Sequence, residues 1–133
     1  MNNIKEYLLT NSRLPGKRAN LELLKKFAEE ATNEEIFECL KMNSETLNNC
    51  PEEFVVMCGI LGFSKKNKLD VGKVINFLEE FANHGSWRIR EAVAMGIQEI
   101  ILVNPQDVIK LLRLWPIENS LKMRAIAAGL CET

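Results

Sequence analysis

Apolar positions recur at helical spacing along the whole chain, and no stretch alternates in the way a half-buried strand does. Ile4, Tyr7 and Leu8 mark a short first helix, which the turn Leu14-Pro15-Gly16 ends. Asn20 stands where an N-cap belongs, ahead of a second helix whose apolar face is Leu21, Leu24, Phe27, Ala28 and Ala31. A third is predicted over 33–42, with Ile36, Phe37 and Leu40 turned inward. Pro51 takes the first position of a fourth, over 51–66, where its missing N–H costs nothing. Glu52 and Glu53 follow it, favourably placed against the helix dipole.

That fourth helix carries the apolar run 54–63, ten residues long and about half of the roughly 20 needed to span a bilayer. Apolarity on every side predicts a helix enclosed by other helices. Gly59 and Gly62 each lower helix propensity by about 1 kcal/mol, which is tolerable where they let neighbours approach closely. Asp70 caps the next helix, over 70–83, whose inward stripe is Val71, Val74, Ile75, Leu78 and Phe81. Ser86 caps another over 86–103. Asn104, Pro105 and Asp107 start a seventh, ended by Trp115-Pro116, and Ser120 begins a last one reaching the chain end. Connections this short make consecutive helices antiparallel neighbours. The expectation is an all-α chain of about eight helices in antiparallel pairs, forming one domain over 1–133.

Self-comparison sharpens that expectation. Ser86-Trp87-Arg88-Ile89-Arg90 is matched 34 residues later by Ser120-Leu121-Lys122-Met123-Arg124: cap, large apolar, cation, apolar, arginine. Ala94-Met95-Gly96-Ile97 is matched by Ala127-Ala128-Gly129-Leu130 and by Met57-Cys58-Gly59-Ile60, at separations of 33 and 37. Three helical hairpins result: 33–42 with 51–66, 70–83 with 86–103, and 105–115 with 120–132. None can bury its apolar faces alone, so the units must stack.

Ile89-Arg90-Glu91-Ala92-Val93-Ala94, with Ile97 and Glu99-Ile100 behind, resembles the second helix of a HEAT repeat. Met123-Arg124 to Leu130 is a weaker match, and the first unit has Val55 and Val56 where the arginine would stand. The resemblance covers about 33–132. The segment Leu14-Pro15-Gly16-Lys17-Arg18-Ala19-Asn20-Leu21 also looks like the start of uncharacterised bacterial HEAT-like proteins. The resemblance implies an α-α superhelix, a HEAT-like solenoid, whose second helices line a concave face and hold a protein partner. No catalytic activity and no cofactor follow from it.

Composition changes the picture little. Seventeen basic and eighteen acidic residues leave a net charge of −1, so no global field draws the chain to nucleic acid or membrane. The amino terminus lacks a long apolar h-region, so the chain is expected to be cytoplasmic. Four cysteines without a C-x-x-C pair, and one histidine, form no recognisable metal set. They read as buried reduced thiols.

The candidate binding residues are Trp87, Arg88, Arg90, Lys122 and Arg124. The four cations lie in the first turns of their helices, where the dipole disfavours them by about 0.3–1 kcal/mol. Two roles are open. The arginines bridge adjacent repeats, or the cations form a ladder facing an acidic or phosphorylated ligand. Trp87 and Trp115 likewise read either as core anchors or as platforms on which a base stacks. Fold analogy brings a second functional reading, nucleic-acid binding or an alkylpurine DNA glycosylase-like activity. The chain lacks the paired tryptophan–aspartate motif of that group, with no Asp within seven residues of either tryptophan. The final stretch SLKMRAIAAGLCET is apolar or small at every position from Ala125 to Cys131, which predicts either continuation into a longer protein or self-association through the C-terminal helix.

Overall fold

A computed structural model describes residues 2–116. The expected last helix, 120–132, lies outside the described residues, together with Lys122 and Arg124. Among the described residues the chain is all-α, with seven helices and no strand: α1 (Asn2–Thr10), α2 (Leu21–Glu30), α3 (Asn33–Leu40), α4 (Pro51–Lys66), α5 (Val71–Glu79), α6 (Trp87–Ile101) and α7 (Pro105–Leu112).

Local chemistry starts most of these helices. The side chains of Asn20, Asp70, Ser86 and Asn104 each accept a hydrogen bond from a backbone N–H three residues on, satisfying a donor that the helix cannot. Thr32 and Glu35 close a full capping box on α3. Cys50 offers no side-chain bond to α4, whose start rests on Pro51 at its first turn.

Helix α4 is the centre of the packing. It touches α1, α2, α3, α5 and α6, and its residues from Glu53 to Gly62 are all buried. Helix α3 runs antiparallel to it, with Leu40 against Gly59 and Ile36 against Gly62. A Cβ on Gly59 would come 2.8 Å from Leu40 Cδ2, so the close approach requires glycine. Gly96 of α6 receives Leu78 of α5 in the same way, its absent Cβ 3.0 Å from Leu78 Cδ2. The two hairpins α3–α4 and α5–α6 therefore share one packing device at matching positions.

Helices α2, α4 and α6 lie side by side and run in the same direction. Phe27 and Glu29 of α2 and its C-cap Ala31 approach Gly62, Lys65 and Lys66 of α4 in that order. Glu53, Ser64 and Lys65 of α4 meet the α6 N-cap Ser86 and then Gly96 and Glu99 of α6 in the same way. Helix α7 packs on α5 and α6.

Two expected core residues sit elsewhere. Phe37 is 64% exposed, and Cys39 occupies the interior in its place. Ile36 already faces α4, and the next residue on a helix is turned about 100° away. Leu21 is also exposed, being the first residue of α2 and outside the stripe of Leu24, Phe27 and Ala28.

Candidate functional site

The parallel arrangement gathers the starts of α2, α4 and α6 at one end of the molecule, where three loops meet. A buried carboxylate sits at their junction. Glu53, on the first turn of α4, is almost wholly out of water. Its Oε1 accepts from the Asn49 N–H at 3.2 Å and from Arg88 Nη1 at 3.1 Å, and its Oε2 accepts from Ser86 Oγ. Ser86 Oγ in turn accepts the Ile89 N–H at 3.2 Å, so one hydroxyl caps α6 and fixes the carboxylate of α4.

Arg88 is 3% exposed and reaches three segments. Besides Glu53, its Nη1 donates to Asn49 Oδ1 at 3.0 Å, and its Nη2 donates to the Gly16 carbonyl at 2.8 Å. Asn49 Oδ1 also takes the Gly16 N–H at 2.9 Å. Asn49 holds φ 51°, a left-handed conformation that asparagine tolerates better than most residues. Gly16 is required for another reason: a Cβ there would lie 2.6 Å from the Arg13 carbonyl oxygen. The guanidinium of Arg88 lies beneath the Trp87 ring, 4.8 Å from its centroid.

Arg90 turns back on its own loop, donating from Nη1 to the carbonyls of His84 at 2.7 Å and Gly85 at 3.0 Å. His84 Nδ1 faces the Ser86 N–H at 2.9 Å and can only accept there. Its Nε2 then carries the proton and donates to Asn43 Oδ1 at 3.1 Å and the Ser44 carbonyl at 2.9 Å. Loop 43–50 and loop 80–86 are thereby locked together.

The proposed site residues thus part company. Arg88 bridges segments inside the molecule, Arg90 binds loop carbonyls, and Trp87 is 52% exposed although it heads a mostly buried helix. Trp87 is the first residue of α6 and rests over the Arg88 guanidinium at the helix start, half in water. Trp115, by contrast, is buried. The participation of Gly16, Asn49, Glu53 and His84 was not legible in the chain. The one available signal was a carboxylate bordering an otherwise apolar run.

A second feature lies along the three parallel helices. A trough of about 280 Å³ crosses α2, α4 and α6, lined by Ala28, Leu61 and Met95 together with polar side chains of all three helices. Lys65 stands in its middle, 3.8 Å from Glu29 and 3.7 Å from Glu99, and so ties the outer helices to the central one.

Nucleophilic chemistry finds little support in the described thiols. Burial, followed by the nearby Glu35 carboxylate, pushes the Cys39 thiol from an ordinary 9.0 to about 12, with Lys5 opposing and Glu38 reinforcing. Burial, and then Cys39, raise Cys58 well above its ordinary value. Among the described residues there is no group of three or more His, Cys, Asp or Glu that could hold a metal ion. No helix among them is long and apolar enough to cross a membrane. No protein-family model matches the chain, and neither curated proteins nor solved structures give a match to it.

Proposed function

We propose that this chain is a short HEAT-like solenoid that acts as a non-catalytic protein-binding scaffold in the cytoplasm, its partner lying along the face of α2, α4 and α6. The observation that carries this reading is the trough across three parallel helices. Stacked hairpins put equivalent helices side by side, and such a row offers a continuous surface to a partner. Ala28, Leu61 and Met95 give it an apolar stretch, and Lys25, Glu29, Lys65, Gln98 and Glu99 surround that stretch with polar groups, a mixture that suits a polar protein contact. The shared fit of Leu40 on Gly59 and of Leu78 on Gly96 supports a common repeat unit.

Site-specific photocrosslinking tests the reading. A photoreactive residue at Met95, in the trough, is expected to give a discrete protein adduct in cells. The same residue at Phe37, exposed on α3, serves as the control. An adduct at Met95 that disappears with Leu61→Glu in a folded variant supports the proposal. Equal labelling from both positions would overturn it.

A further inference from the structure

The edge of the molecule beside the buried junction carries a feature that the trough does not explain. Trp87 leaves half of its surface in water, with one ring face covered by Arg88. The same Arg88 guanidinium that lies under the ring donates to the Gly16 carbonyl, so the turn over 13–18 and Trp87 are held on one side chain. That turn holds Arg13, Lys17 and Arg18, all exposed, and no acidic residue lies between 11 and 20. None of these three side chains takes part in an ion pair or side-chain hydrogen bond among the described residues.

The turn is also held in place. Asn20 N–H donates to the Ser12 carbonyl at 3.0 Å, Leu14 N–H to Ser12 Oγ at 3.1 Å, and Asn20 Nδ2 to the Asn11 carbonyl at 2.9 Å. With Gly16 fixed at both its N–H and its carbonyl, the backbone bearing the cations needs little ordering on binding.

We propose that Trp87 and the turn 13–18 form a docking patch for an acidic protein segment that carries an aromatic or aliphatic residue. Lys17 and Arg18 meet its carboxylates, and the free face of Trp87 receives its apolar side chain. Tryptophan and arginine are the residue types that most often dominate such contacts. An extended nucleic acid fits less well. The chain as a whole carries net charge −1, so phosphates beyond the patch meet no general attraction. A short acidic segment needs only the patch itself.

The test uses the full chain and a fluorescein-labelled peptide of about twelve residues, Asp and Glu flanking a central Phe-Leu pair, read by anisotropy. Saturable binding is expected at about 20 mM salt, weakening roughly tenfold at about 200 mM as the charges are screened. Lys17→Glu with Arg18→Glu is expected to lower affinity about tenfold or more. Neither side chain has an ion-pair or hydrogen-bond partner among the described residues, so this variant should keep its thermal melt. Trp87→Ala is expected to weaken the peptide roughly tenfold, and far less a peptide with the Phe-Leu pair replaced by Ser. Met95→Glu, in the trough, should leave peptide binding unchanged, which separates this patch from the proposed scaffold face. The proposal is overturned by absence of binding at low salt, by binding indifferent to the Lys17 and Arg18 changes, or by oligothymidine of equal charge binding more tightly than the peptide.

Discussion

Glu53 and Arg88 form an ion pair at 3.1 Å, across the interface of two parallel helices and with both side chains almost wholly removed from water. Isolated burial of either charge would be prohibitive. The pair is tolerated because the carboxylate accepts three hydrogen bonds and the guanidinium donates three. Through Gly16, the same guanidinium ties the N-terminal turn to α4 and α6.

Replacing Arg88 by Met keeps much of its volume but leaves Glu53 buried and unpaired. A loss of about 3–5 kcal/mol in urea unfolding is expected. The double variant Arg88→Met with Glu53→Leu should recover part of it, since both charges are then gone. A double variant as unstable as the sum of the singles would show that the pair is not coupled.

Two caps of the same type should differ. Asp70→Ala removes a solvent-exposed cap and should cost about 1 kcal/mol. Ser86→Ala removes both the α6 cap and the donor to Glu53 Oε2, adding about 1–3 kcal/mol for a buried acceptor left unsatisfied. Chemical denaturation of the two variants side by side measures the gap, and equal losses would contradict the shared role of Ser86.

Glycine to alanine changes are expected to have opposite signs at two positions. A Cβ on Gly72 meets nothing within 4 Å, so Gly72→Ala should stabilise by up to about 1 kcal/mol through helix propensity. On Gly96 it would lie 2.6 Å from Ser64 Oγ and 3.0 Å from Leu78 Cδ2, and overpacking should outweigh the propensity gain, for a net loss of about 1–2 kcal/mol. Thermal melts of both variants check the signs.

The thiols should be graded by burial. Alkylation of the folded protein at about pH 8 should modify Cys50, which is partly accessible, well before Cys39 and Cys58. Because the folded Cys39 pKa stands above its unfolded value, the protonated thiol favours the native state. That contribution is complete below pH 9.0 and is lost as pH rises toward about 12. Peptide mapping after timed alkylation, and unfolding midpoints across the alkaline range, would show whether the order and the slope hold.

Much of the architecture was written in local pattern. The caps Asn20, Asp70, Ser86 and Asn104, and Pro51 at the head of α4, act on backbone groups within a few residues, so sequence alone places them. The apolar run of α4 announced an enclosed helix, and Gly59 and Gly62 announced a close approach within it. What faces what was a different matter. Phe37 and Trp87 are exposed while Ile36 and Arg88 take inward positions, an outcome set by how α3 and α6 lie against α4. Arg88 finds Glu53 at 35 residues' distance and Gly16 at 72. Hydrogen bonds over such separations depend on the stacking of whole helices, and only the tertiary structure brings their donors and acceptors together.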